Sequence, residues 1–265
     1  MPLVVTKPYV DGIGNIMNSL ISGLSVDPET KITCNHEYSL GHYDTVLDSK
    51  YIYTDGPQTP FGTFRLHVLK EEEDEQKHID IEYADIQVCG RPEFSTRVAI
   101  DLNYDPSMFC DRVRERLLRS FRSIRFQPQI HEWVDAHIRH IEPNRSLGIS
   151  VRTWRAGHEH GIHRPYSADV YKTAIRAELE TGDISHVVLS VDTPIVKQEY
   201  VDFLSQFPVS VIVLERDPSQ NETQFAFVKM LVLSKCGTFI GNRISTFSEL
   251  VFWFGECKAK VIPLF

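Results

Sequence analysis

Thr238-Phe239-Ile240-Gly241-Asn242-Arg243-Ile244-Ser245-Thr246-Phe247-Ser248-Glu249 is the stretch on which the fold turns. Apolar residues from Thr238 to Gly241 read as a strand, a polar turn follows, and a helix opens over Thr246–Phe254. An apolar strand passing through a hydroxyl-bearing turn into a helix is half of a βαβ unit. Moving outward, the same alternation repeats. Strands are expected at Leu147–Thr153, His186–Val191, Val209–Leu214 and Ala259–Leu264. Helices are expected at Ser167–Glu180, Glu199–Phe207 and Glu222–Ser234, the first burying Val170, Ala174, Ile175 and Leu179 on one face. The strands are apolar nearly throughout, as strands covered on both faces must be. The pattern predicts a parallel, doubly wound α/β sheet in the second half of the chain.

The first half is more mixed. Leu3–Val5 and Lys31–Cys34 read as strands flanking a helix at Asn15–Leu24, whose Ile16, Leu20 and Leu24 recur every four residues. Phe64–Leu69 and Ile79–Tyr83 alternate apolar and polar, which predicts a hairpin whose solvated tip is the acidic run Glu71–Glu75. Arg112–Arg125 is an amphipathic helix with Val113, Leu117, Phe121 and Ile124 as its buried stripe, its arginines read as a solvated face. A further helix, Gln129–Ile141, is broken by Glu142-Pro143-Asn144. The domain boundary is placed there, giving domains 1–142 and 143–265.

The chain of 265 residues has a net charge of −8, which excludes a general nucleic-acid binder and requires any anionic ligand to be held by a local cluster of donors. No apolar run reaches the length of a transmembrane segment. The first ten residues, with Lys7 and two prolines, lack a basic-then-apolar leader. Cysteines 34, 89, 110, 236 and 257 form no CxxC pair and read as free thiols of a reducing compartment, so a cytoplasmic protein is expected.

In open α/β sheets ligands bind beyond the carboxyl ends of the strands, and three strand ends here carry chemistry. The first delivers Arg152 and then the loop Gly157-His158-Glu159-His160-Gly161-Ile162-His163. Arginine clamps a phosphate with parallel hydrogen bonds, and the loop offers acid and base groups. The second ends in Asp192-Thr193-Pro194, which serves either as a ligand-facing turn or as a helix start. The third is the opening stretch. Thr246 and Glu249 have the spacing of a capping box, and the helix start offers backbone N–H groups to a pyrophosphate; simple capping of a buried helix is the equal alternative.

Assembled, these segments resemble the fucosyltransferases that use GDP-activated sugars: protein O-fucosyltransferases, α-1,6-fucosyltransferases and nodulation fucosyltransferases. The resemblance rests on Gly148-Ile-Ser-Val-Arg152, on Val187-Val-Leu-Ser-Val-Asp192, on Gly241-Asn-Arg-Ile-Ser-Thr-Phe-Ser248, and on Gly12-Ile-Gly14-Asn15 opening a helix. It implies a GT-B-like α/β fold, two Rossmann-like domains facing across a cleft, with the acceptor side in 1–142 and the nucleotide sugar in 143–265. It implies an inverting, metal-independent transfer of a sugar, fucose above all, from a GDP-sugar to a glycan or protein hydroxyl, with no bound cofactor. Arg152 would hold the β-phosphate, and Asp192, Asn242, Ser245, Thr246 and Phe247 would line the nucleotide site. Gly14 and Asn15 would approach from the facing domain. Glu159 stands where some relatives carry a carboxylate and is the expected base, with His158, His160 and His163 as alternatives and Asp11 and Glu37 behind them. Many relatives have His-x-Arg-Arg where this chain has Ser150-Val-Arg152-Thr153, and some place an acid for guanine before the third motif, where this chain has Lys229. Phosphate binding is therefore better supported than guanine selectivity, and GDP-rhamnose and GDP-mannose stay open as donors.

Two other readings stay open. One is a non-catalytic relative that binds sugar nucleotides or glycans. The other is a metal-dependent hydrolase using His158, His160 and His163, although these lie in a glycine-containing loop and no HExxH is present. Neither a GxSxG elbow nor a GxxxxGK[ST] loop occurs.

Overall fold

The computed structural model describes residues 4–5, 12–24, 28–32, 43–52, 98–109, 111–139, 141–153 and 166–264. The expected hairpin with its acidic tip, the loop carrying His158, Glu159, His160 and His163, and Asp11 and Glu37 lie outside the described residues. Contacts divide the chain into two units: residues 1–133 with 216–228, and residues 134–215 with 229–265.

In the first unit, β1 (Val4–Val5) and β2 (Lys31–Ile32) pair in parallel, joined through α1 (Ile13–Leu24) as a βαβ element. Ile16, Leu20 and Leu24 are buried, as their spacing requires. A four-residue helix, α2 (Val98–Asp101), precedes α3 (Asp111–Ser123), which buries Leu117, Leu118 and Phe121, with Ile124 buried just beyond it. α4 spans Pro128–Ile138, its residues from Val134 onward belonging to the second unit, and ends earlier than the sequence predicts; the Ile141 amide turns back onto the Ile138 carbonyl, leading the chain into the Pro143–Arg145 turn. Residues 216–228 belong to this unit through an aromatic cluster of Tyr43, Phe126 and Phe227, and through Asn221, which donates to the Thr45 hydroxyl.

The second unit is a five-stranded sheet of β3 (Ser146–Val151), β4 (His186–Val191), β5 (Ser210–Val213), β6 (Thr238–Asn242) and β7 (Lys260–Leu264). The strand order is β5-β4-β3-β6-β7 and every pairing is parallel. The intervening helices are α5 (Ala168–Thr181), α6 (Pro194–Leu204), α7 (Glu222–Leu233) and α8 (Thr246–Phe254). α7 contributes its residues up to Val228 to the first unit and the rest to the second. Leu147, Ile149, Val187, Leu189 and Ile240 form one core with Tyr171 and Ile175 of α5 and Tyr200, Phe203 and Leu204 of α6. The opposite face is covered too: a Cβ on Gly148 would lie 3.1 Å from the Leu233 side chain and 3.2 Å from that of Cys236, so glycine lets both pack on β3 without giving way. Coverage on both faces is why these strands read as continuous apolar runs. α8 buries Leu250, Val251 and Phe252 to 1% exposure or less, each worth about 1.5–3 kcal/mol over an exposed position.

Three expectations are corrected. α6 begins at Pro194 rather than Glu199, because a proline at the first helical position has its φ preset and lacks an N–H that would be unpaired there in any case. Val170 is 43% exposed; the buried face of α5 is Tyr171 and Ile175, while Ala174 and Leu179 pack partly buried against the core. The N-cap of α8 is Ser245, not Thr246, so Thr246 and Glu249 do not frame a capping box. The Asn242 side chain accepts from the Ile244 amide, and the Asn242 carbonyl from the Ser245 amide, and this turn sets the helix start at Ser245.

Candidate functional site

β3 and β4 stay paired to their last residues, Val151 and Val191, and β6 and β7 to Asn242 and Leu264. β3 and β6, in contrast, pair only through Leu147–Thr238, Gly148–Phe239 and Ile149–Ile240. Their ladder stops before either strand does, so the sheet forks between them at its carboxyl end. Here too the strand order reverses: the chain leaves β3 toward β4 and β5, then returns on the other side as β6 and β7. A crevice at such a switch point is where open parallel sheets bind their ligands.

Arg152 directly follows β3, and Asn242 to Phe247 follow from the end of β6, so these residues flank the fork. The Arg152 side chain is 37% exposed and its Nη1 lies 3.8 Å from Asp192 Oδ2. That separation is an ion pair rather than a hydrogen bond. Asp192, at the end of β4, accepts from the Thr153 amide at 2.9 Å and from the Thr153 hydroxyl at 2.8 Å. Its carboxylate thus ties the chain after β3 to the end of β4 and places a negative charge beside Arg152. The sequence did not single out Thr153 for this; its only signal was standing where relatives carry a second arginine.

On the other side of the fork, Ser245 caps α8 without a side-chain hydrogen bond. The Glu249 amide reaches the Ser245 carbonyl, so by helix geometry the amides of Thr246, Phe247 and Ser248 have no intrahelical acceptor. They form a positive helix end suited to an anion. Gly241 fixes the approach of this turn: a Cβ there would lie 2.6 and 2.7 Å from ring carbons of Phe239 and 2.7 Å from Ser248 Oγ. The Gly241 and Ser248 positions of the motif are therefore one packing contact. Asn242 is buried and spends its side-chain oxygen on the turn.

Behind Arg152 lies a tyrosine cluster that the spacing of residues did not reveal. Tyr166 donates to the Tyr200 hydroxyl at 2.9 Å, and the Tyr171 and Tyr200 rings meet edge to face at 6.4 Å. The Tyr171 hydroxyl is buried, makes no hydrogen bond of normal geometry among the described residues, and lies near the Arg152 backbone and Asp192. Burial first, and Tyr166 second, push both Tyr171 and Tyr200 phenols well above their usual range, so both stay protonated.

The structure thus brings together Arg152, Asp192, Asn242, Ser245, Thr246 and Phe247 within one unit. Gly14 and Asn15 sit in the first turn of α1 in the other unit, the Asn15 amide bonding the Gly12 carbonyl. Glu159, His158, His160 and His163 lie outside the described residues. Among the described residues no group of three or more His, Cys, Asp or Glu is arranged to hold a metal, and no helix is long and apolar enough to cross a membrane.

No family model matches the chain, and no curated protein matches it in sequence. Its fold, however, is shared with solved structures. A NodZ α-1,6-fucosyltransferase soaked with GDP-fucose aligns with a TM-score of 0.58 at 14% identity over 96% of this chain and 93% of that one. The NodZ fucosyltransferase from Bradyrhizobium aligns with a TM-score of 0.56 at 16% identity, covering 95% and 91%. Apo POFUT1 aligns with a TM-score of 0.54 at 12% identity, covering 98% and 97%. The likeness shows the fold: the chain is a GT-B-like α/β protein, as the sequence motifs imply.

Proposed function

We propose that this chain is a glycosyltransferase that moves a sugar, with fucose the first candidate, from a GDP-sugar to a hydroxyl of a glycan or protein. The observation that carries the reading is the fork between β3 and β6, with Arg152 on one side and the open amides of the α8 turn on the other. Structural neighbours that were crystallised with GDP or GDP-fucose support the choice of nucleotide. In this proposal residues 143–265 hold the nucleotide sugar and 1–142 the acceptor, with Gly14 and Asn15 among the residues of 1–142 assigned to ligand binding.

The acceptor oxygen attacks the anomeric carbon as the bond from that carbon to the β-phosphate oxygen breaks. The stereochemistry inverts, GDP leaves, and the hydroxyl proton passes to a base. Arg152 neutralises the charge that builds on the departing diphosphate, the kind of preorganised electrostatic contribution that dominates many rate enhancements. The α8 amides add their dipole at the same place. Asp192, tied to Thr153, sets its carboxylate beside Arg152 at the fork. Glu159 is proposed as the base, with His158, His160 and His163 as alternatives. The reading needs no bound metal or cofactor. A cytoplasmic setting belongs to the same proposal and is supported by the buried Cys236 thiol, which is in no disulfide.

One observation favours binding without turnover: Thr153 stands in place of the second arginine of the relatives' first motif and is committed to Asp192. A turnover assay with GDP-fucose separates the two readings. The test of the site is calorimetric titration with GDP, UDP, ADP and CMP, with and without EDTA. GDP is expected to bind with or without EDTA, and Arg152→Ala to weaken it by roughly tenfold or more, as loss of charge-assisted hydrogen bonds does. Absence of GDP binding, or binding that requires a metal, would overturn the proposal.

A further inference from the structure

β3 and β4 stay in register to their last residues, Val151 opposite Val191, so the chain leaving β3 at Arg152 and Thr153 runs beside Asp192. Thr153 is 4% exposed and grips the Asp192 carboxylate twice: its amide donates to Oδ2 at 2.9 Å and its hydroxyl to Oδ1 at 2.8 Å. An aspartate carboxylate turns easily about its last torsion, whose energy wells are broad. One donor on each oxygen removes that freedom, so Thr153 fixes the plane of the carboxylate. The oxygen that takes the amide, Oδ2, is also the one 3.8 Å from Arg152 Nη1. The direction in which the guanidinium is drawn therefore depends on the hydroxyl that holds the other oxygen.

The same clasp reaches the root of the arginine. The peptide unit between Arg152 and Thr153 is planar, so the Thr153 N–H lies in one plane with the Arg152 carbonyl and both Cα atoms. Holding that N–H on Asp192 holds the backbone from which the Arg152 side chain springs. Behind it the buried Tyr171 hydroxyl lies near the Arg152 backbone and Asp192, so the clasp rests on packed core. A long side chain that is 37% exposed has many rotamers to lose, and its contact with a ligand is stronger when they are lost before the ligand arrives. We infer that Thr153 is a positioning residue: acting through Asp192, it presets Arg152 for the diphosphate of the nucleotide sugar. The inference rests on the proposal that the fork binds GDP, and it holds whether the bound sugar nucleotide is turned over or only held.

The test is calorimetric titration of the full chain with GDP, using wild type, Thr153→Val, Thr153→Ala, Thr153→Ser, Arg152→Ala and the Arg152→Ala/Thr153→Val double variant, with ligand-free melting temperatures measured alongside. Valine keeps the shape of threonine and the backbone amide and removes the hydroxyl bond. Alanine removes the hydroxyl with no bulk to accommodate, so the comparison stands on a second variant, and serine keeps the hydroxyl. Thr153→Val and Thr153→Ala are expected to bind GDP roughly five- to tenfold more weakly, as loss of a hydrogen bond to a charged group does, and Thr153→Ser within about threefold of wild type. In the Arg152→Ala background Thr153→Val is expected to add less than about a twofold loss, because its effect passes through the arginine. A merely structural hydroxyl would lower the melting temperature without this dependence on Arg152. Wild-type affinity in Thr153→Val and Thr153→Ala, an undiminished loss in the Arg152→Ala background, or failure of serine to restore affinity would each overturn the inference while leaving GDP binding at the fork in place. Absence of GDP binding by wild type would overturn both.

Discussion

Replacing Gly241 with alanine probes the contact that holds the α8 turn at the fork. The added methyl would lie 2.6 and 2.7 Å from two Phe239 ring carbons and 2.7 Å from Ser248 Oγ, where ordinary contact begins at 3.4 Å. Phe239 is fully buried and Ser248 is 2% exposed, so neither side chain has solvent to swing into. Overpacking of this kind costs about 1–3 kcal/mol. At roughly 2–4 °C per kcal/mol for a chain of this size, the melting temperature falls by about 2–12 °C. Ser248 lies in the first turn of α8, so relief of the clash displaces the Thr246 and Phe247 amides as well, and GDP affinity falls with stability. Gly148→Ala is the internal control. Its nearest atoms, at 3.1 and 3.2 Å, belong to the Leu233 and Cys236 side chains, and its melting temperature is expected to fall less. Scanning calorimetry and GDP titration of both variants check the reasoning. A Gly241→Ala melting temperature within about 1 °C of wild type, or a larger loss in Gly148→Ala, would refute it.

Three more perturbations follow from buried groups. Tyr171→Phe removes a hydroxyl with no hydrogen bond of normal geometry among the described residues, so the urea midpoint is expected to change by less than the equivalent of about 1 kcal/mol; a larger loss would show that the hydroxyl is held by a hydrogen bond after all, as to the Arg152 backbone. Burial pushes the Cys236 thiol up to about 12, so the native protein at mildly alkaline pH is expected to leave the Cys236 peptide unalkylated, with labelling only after unfolding, as read by mass spectrometry. Burial holds folded His137 below its usual pKa, so the unfolded chain takes up that proton first. His137 therefore supports stability above the ordinary histidine range, and that support is lost as pH falls through it; His137→Gln should flatten the drop in urea midpoint between roughly pH 7 and 5.5, and an unchanged slope would count against this account.

The sequence by itself determined the class of the second unit. Apolar strands such as His186–Val191, alternating with helices such as Thr246–Phe254, encode burial on two faces, and both elements stand where their patterns place them. Proline and capping positions were legible less well. Pro194 reads equally as a turn and as a helix start, and only the local backbone chose. The motifs also marked Arg152 and the Ser245-Thr246-Phe247 turn as chemically loaded. That the two share one nucleotide site was implied by the resemblance, and the pattern of apolar residues alone did not say it. Periodicity records which face of an element is buried, not which strand it pairs with. The order β5-β4-β3-β6-β7, the early end of the β3–β6 ladder, and the Thr153–Asp192 bridge are decided by long-range backbone pairing.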